Sequence, residues 1–386
     1  MTSIHLPQPD RTWREVALRG PAEWNPQPTP ARSRVAFAAV HVVADPLGNN
    51  VPGAPAQVDW DSTLAFRRHL FAHGLGVAEA MDTAQRGMGL DWPATQELIR
   101  RSATQASEHG ARMAAGAGTD HLDPRADSID VVLAGYEEQV AFVESTGAQA
   151  IIMASRQLAA AARDTDDYRK VYDRLLAQVQ RPVILHWLGT AFDPALAGYW
   201  GSADVSTATS AFLDLVHDNT DKVDGVKVSL LDANHEKDLR QRLPEGVRLY
   251  TGDDFNYPEL ILGDDSHHSD ALLGIFAAIA PAAGAALHAL DNGDIDTYNA
   301  VLEPTVPLAR HVFAAPTYYY KTGIAFLAWL GGHQPGFTMV GGLQSARSVT
   351  DLATTFELAD RAGLIADPDL AAGRMHQLLD VAGLHR

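Results

Sequence analysis

A chain of 386 residues that is 46% hydrophobic can bury a sizeable core, which excludes intrinsic disorder and a disulfide-stapled miniprotein. Cysteine is absent, so disulfides, thiolate metal sites, iron–sulfur ligation and a cysteine nucleophile are excluded too. The 30 Lys and Arg against 48 Asp and Glu give a formal charge of −18, a field that opposes nucleic acid and anionic membranes and leaves a small molecule as the default partner.

Residues 1–30 are Pro-rich, carry Asp10, Arg11 and Glu15, and lack the long apolar run of a secretory signal; they read as an N-terminal extension of a cytoplasmic protein. From Val35 onward a unit recurs in which an amphipathic helix ends at Gly or Pro and a short apolar, β-rich run follows. Residues 35–41 form the first run. Asp61 or Ser62 then caps a helix that stops at Gly74, and residues 75–81 follow. Asp91 and Pro93 open the next helix, closed by Gly110 before residues 111–116. Ile129, Val132, Tyr136, Val140 and Val143 recur at helical spacing ahead of residues 148–153, and Tyr168, Val171, Tyr172, Leu175 and Leu176 ahead of residues 182–187. Runs at 223–229, 247–251 and 271–276 complete a set of eight.

Eight strands alternating with helices predict a (β/α)8 TIM barrel over residues 31–284, since parallel strands need a crossover helix between them. No Gly-rich phosphate-binding element follows the first strand, which argues against the doubly wound alternative. Residues 271–290 hold no Asp, Glu, Lys or Arg, yet Pro281 interrupts them, and they read as a buried strand followed by a helix rather than a membrane span. Residues 285–386 read as helices broken by Gly and Pro, a C-terminal extension packed on the barrel or on a partner subunit.

In such a barrel the chemistry lies at the carboxyl ends of the strands. The polar residues expected there are His41, Glu79, Asp82, Asp120, Ser155, Arg156, His186, Lys227, Asp253 and Asp254. Lys227 stands alone as a lysine inside an apolar strand. Burial in a barrel mouth lowers a lysine pKa until the neutral amine, which attacks carbonyls, is accessible. A lysine in a salt bridge with Glu79 or Asp253, or reaching water, satisfies the same spacing. Asp253 and Asp254 fit a helix cap equally well. Glu79, Asp82, His186 and Asp253 also offer ligands for a divalent metal, although no local metal motif demands one.

The segments Asp224-Gly-Val-Lys-Val-Ser229, Gly252-Asp-Asp254, Asp291-Asn-Gly-Asp294, Leu302-Glu-Pro304 and Tyr318-Tyr-Tyr-Lys-Thr-Gly323 are colinear with elements of the dihydrodipicolinate synthase and N-acetylneuraminate lyase family, which the chain resembles over residues 35–330. The resemblance implies a class I aldolase barrel with a C-terminal helical domain, a homodimer or homotetramer, and Lys227 as the Schiff-base residue with no cofactor. His186 stands where that family has its proton-relaying Tyr, and its ordinary pKa of about 6.5 suits that work. The family's Gly-Thr-Thr-Gly-Glu loop is replaced by Glu79-Ala-Met-Asp-Thr-Ala84, where Asp82 would repel the carboxylate of pyruvate.

The expectation is a Schiff-base lyase, aldolase or hydro-lyase, for a small polyhydroxylated ketone or keto sugar. Lys227 and His186 are its catalytic residues, and Glu79, Asp82, Asp120, Asp253 and His41 bind the substrate. A metal-dependent sugar isomerase or epimerase and an inactive ligand-binding barrel are the alternatives. Lys321 and the run Tyr318 to Tyr320 read as packing or interface residues.

Overall fold

The computed structural model describes residues 2–24, 28–126 and 128–384. Met1 and residues 25–27 of the expected N-terminal extension, and residues 385–386 of the expected helical region, lie outside them.

Ten strands are present: β1 (Ser3–Pro7), β2 (Trp13–Ala17), β3 (Ala36–Ala39), β4 (Gly76–Glu79), β5 (Met113–Ala117), β6 (Gln149–Ile152), β7 (Val183–Leu188), β8 (Val223–Ser229), β9 (Arg248–Thr251) and β10 (Asp270–Leu273). Strands β3 to β10 close into an all-parallel barrel in sequence order, β10 pairing with β3. Each matches one of the eight apolar runs.

Alternation along the strands builds two cores. Phe37, Ala39, Ala78, Ala114, Ile151, Ile184, Tyr250 and Leu272 fill the barrel interior, while Val77, Ala115, Ile152, Leu185, Val226 and Val228 face the helical jacket. The jacket begins with helix Trp60–Ala72, whose N-cap is Asp59, accepting from Ser62 N at 3.0 Å, rather than Asp61 or Ser62. Helix Trp92–Glu108 is capped by Asp91 as the sequence suggests. The uncharged stretch at 271–290 resolves into β10, a tight turn over Ile275–Ala277 and helix Ala280–Asp291. Among the described residues no helix is long and apolar enough to cross a membrane.

One feature was not legible in the sequence, and one open choice is resolved. β1 and β2 form an antiparallel hairpin that clasps the C-terminal helices, through Arg14 to Glu357, Arg19 N to Asp360 and Ala22 N to the Gly363 carbonyl. The C-terminal helices in turn cover the barrel mouth of their own chain. The Tyr320 hydroxyl at the start of helix Tyr320–Leu330 meets Thr83 Oγ1 at 2.5 Å and donates to Asp82 Oδ2 at 3.0 Å.

Candidate active site

Lys227 sits near the end of β8, 5% exposed, paired in register with His186 of β7. On the other side its register partner is Tyr250 of β9, and the tip of its side chain runs past Gly252, two residues further on. A Cβ at Gly252 would lie 2.1 Å from Ser229 Oγ, 2.7 Å from the Val228 carbonyl and 3.0 Å from Lys227 Cε. Only a glycine lets the turn approach this closely. Burial pulls the Lys227 ammonium below the usual lysine range, against the opposing charges of Asp82 and Asp254.

Asp254 is, after Asp82, a second carboxyl group whose charge acts on Lys227. It is buried, Oδ1 accepts from Ile275 N at 2.8 Å, and burial pushes its pKa up to about 8, with the Ile275 bond and the Lys227 charge acting against that rise. A buried carboxyl group whose pKa is raised, with a lysine whose pKa is lowered, can pass protons near neutral pH. Asp253, the residue expected from the sequence, faces the other way: Oδ1 accepts from Phe255 N and Asn256 N and Oδ2 from Asn256 Nδ2, so it holds the turn into helix Tyr257–Leu262. Its expected substrate role is corrected to a structural one.

Two further expectations change for the same reason of side-chain direction. Glu79 lies on the outward face of β4 with Val77 and is fully buried against Arg67, Nε to Oε2 at 2.9 Å and Nη2 to Oε1 at 2.8 Å. His41 bonds Gln334 Oε1 at 2.9 Å and packs edge-on against Phe66, between the barrel and its C-terminal cover. Neither reaches the barrel mouth. His186 does, with Nε2 3.3 Å from Ser229 Oγ and Nδ1 unpartnered among the described residues, but burial and then the Lys227 charge take its pKa well below 6.5. It is a neutral imidazole at pH 7, not an acid.

Over the ends of β4 to β7 lies a cavity of about 210 Å³, walled by Asp82, Arg86, Asp120, Arg156, Asp193 and Lys321 among others. Asp82 links the two parts of the site, because it lines this cavity and also acts on the charge of Lys227. Two residues before it, Ala80 is a non-glycine at φ 53°, its N–H donating to Glu79 Oε1 at 3.0 Å and its carbonyl accepting from Arg86 Nη1 at 3.1 Å. Asp120 pairs with Arg86 and Asp193 with Arg156. Burial works to raise the Asp120 carboxyl, yet the Arg86 guanidinium holds it below the usual range. These carboxylates are matched by cations, so the cavity is not the net acidic one that strand-end residues alone suggest.

Lys321 is the residue that sequence reasoning misplaced: its side chain is 1% exposed and part of the cavity wall rather than an interface. No local pattern marked it, since it arrives on a helix 67 positions after Asp254. The metal ligand set considered from the sequence is not assembled, because Glu79 and Asp253 point away from Asp82 and His186. Among the described residues, no group of three or more His, Asp or Glu side chains is placed to hold a metal ion.

The fold is similar to dihydrodipicolinate synthase from Thermotoga maritima, with 13% identity, a TM-score of 0.65 and coverage of 86% of this chain and 99% of that one. It is also similar to the enzyme from Bacillus clausii (15%, 0.63, 85% and 97%) and to the chloride-inhibited enzyme from Acinetobacter baumannii complexed with pyruvate (14%, 0.64, 86% and 100%). At these identities the likeness is one of fold, and it places the chain among dihydrodipicolinate synthase-like (β/α)8 barrels. Compared by sequence with curated proteins, the chain shows no match. The chain belongs to the family described as protein of unknown function (DUF993), whose model matches residues 4–384.

Proposed function

We propose that the protein is a Schiff-base-forming lyase, an aldolase or hydro-lyase, acting on a small polyhydroxylated ketone or keto sugar. The observation that carries this reading is Lys227, a lysine 5% exposed inside the apolar strand β8 in register with His186, whose burial disfavours its charge.

The neutral Lys227 amine attacks the substrate carbonyl carbon, and the nitrogen proton passes to the carbonyl oxygen through Asp254. The carbinolamine then loses that oxygen as water, taking the Asp254 proton, which leaves a protonated imine facing the Asp254 carboxylate. The iminium is an electron sink for breaking the adjacent bond, and the carboxylate is positioned to accept a proton. His186 supplies an uncharged hydrogen-bonding wall. Pyruvate is not the expected substrate, since a carboxylate directly beside the reacting carbonyl would face Asp82.

Replacement Lys227→Ala tests the reading. Turnover of the responsive ketone in a carbonyl panel is expected to vanish, and unchanged turnover would refute imine chemistry.

A further inference from the structure

The cavity cations differ in how their donors are used. Arg86 places its guanidinium on Asp120, Gln139 and the carbonyls of Ala80 and Gly116. Arg156 is committed to Asp193 and the Tyr318 hydroxyl. Among the described residues, Lys321 makes no hydrogen bond to an oxygen, and its one ion-pair partner is Asp82. Its ammonium donates to the Met88 thioether at 3.0 Å, a weak acceptor, and lies 4.0 Å from Asp82 Oδ2, beyond hydrogen-bond distance. The rings of Tyr318 and Tyr320, each 5.2 Å from Nζ, shield it from water without offering it an oxygen. A desolvated ammonium short of oxygen acceptors on a cavity wall is a site built for an anionic oxygen from outside the chain.

We infer that Lys321 anchors an anionic group of the substrate, a carboxylate set away from the reacting carbonyl, so that the substrate is an acidic ketone. The inference rests on the proposed imine at Lys227 and adds the substrate class. Asp82 lies between the two functions, acting on the charges of both lysines. It disfavours a carboxylate next to the carbonyl, and its 4.0 Å pairing with Lys321, which makes no hydrogen bond, leaves the ammonium's donors to an oxygen from outside the chain. Burial lowers the Lys321 pKa to about 8, which still leaves the ammonium form dominant at neutral pH.

The test uses the full-length protein and borohydride trapping of levulinate, levulinamide, pyruvate and pyruvamide, with the half-saturating concentration read from intact mass and the adduct located by peptide mapping. Levulinate is expected to label Lys227 at roughly tenfold lower concentration than levulinamide, the advantage of one charge-assisted hydrogen bond, and pyruvate to show no such advantage over pyruvamide. In Lys321→Met acid and amide are expected to label alike, whereas Lys321→Arg retains part of the preference. Equal labelling by levulinate and levulinamide in the wild type, a preference surviving Lys321→Met, or an adduct on Lys321 itself would overturn the inference. If no compound labels Lys227, the imine reading fails on its own. The anion site is then decided by titrating butyrate and butyramide: saturable binding of butyrate alone to the wild type, lost in Lys321→Met, upholds it, and no binding to the wild type removes it. Should Lys321→Met not fold, the wild-type acid-to-amide ratio and the behaviour of Lys321→Arg decide between these outcomes.

Discussion

His186 and Lys227 are register partners on adjacent parallel strands, and that pairing shapes the acid–base chemistry of the barrel mouth. Burial, and then the Lys227 charge, take the His186 pKa well below 6.5, so in the proposed reaction the proton comes from Asp254 rather than from the histidine.

Asp254→Asn should therefore slow imine formation by about 10²-fold or more, the usual contribution of a positioned acid–base group. The amide oxygen can still accept from Ile275 N. Single-turnover trapping measures the rate, and a change below about threefold would show that Asp254 is not the proton donor. The wild-type rate should fall above a pH of about 8 as Asp254 loses its proton. His186→Gln should leave both the rate and its pH profile nearly intact.

Gly252→Ala should misplace Lys227, because the added methyl would overlap Ser229 Oγ and the Val228 carbonyl. A cost of about 1–3 kcal/mol in folding stability is expected, with trapping at Lys227 reduced in protein that remains folded. Denaturant unfolding and trapping of the same sample check both parts. Wild-type behaviour in each would mean that the turn yields freely.

Glu79→Gln breaks a fully buried ion pair that also receives Ala80 N, while Arg67 further bonds the His41 and Thr63 carbonyls. Leaving the guanidinium unpaired should cost about 3–5 kcal/mol. Urea denaturation measures it, and a loss under about 1 kcal/mol would return Glu79 to the substrate-binding candidates.

Acid stability should bear the mark of the histidines between helix Trp60–Ala72 and the C-terminal cover. Burial lowers the pKa of both His41 and His69 to about 3, with the neighbouring His333 disfavouring their charge further. The folded state thus binds fewer protons than the unfolded one, whose histidines titrate near 6.5. Their contribution is fully present above pH 6.5 and is lost as pH falls toward 3, at up to about 1.4 kcal/mol per pH unit for each histidine. Urea midpoints at pH 7, 6, 5 and 4 should decline steadily; a flat profile would contradict the assignment.

The eight barrel strands were legible because each is a short apolar run bounded by Gly, Pro or a cap, and their spacing leaves room for one crossover helix each. The β1–β2 hairpin was not, since Ser3–Pro7 and Trp13–Ala17 are each only five residues long and Trp13–Ala17 has no fully buried residue, so the pair rests on the C-terminal helices. At the site, Lys227 was legible as a charge in an apolar strand. The outward direction of Glu79 was missed although the signal was there: strand alternation puts it on the face of Val77, away from Ala78 and the barrel interior. The choice between Asp253 and Asp254 turned on one residue of a turn, where no periodicity says which carboxylate caps and which faces inward. Lys321 depends wholly on tertiary packing, because nothing near it in sequence marks the cavity it enters.

The most direct test is borohydride reduction of the wild-type protein in the presence of a small-ketone panel, followed by intact mass and peptide mapping. A single adduct of ketone mass on Lys227, absent from Lys227→Ala and slowed in Asp254→Asn, is the predicted result. Turnover of a ketone with no reducible adduct, or an adduct on any other lysine, would contradict it.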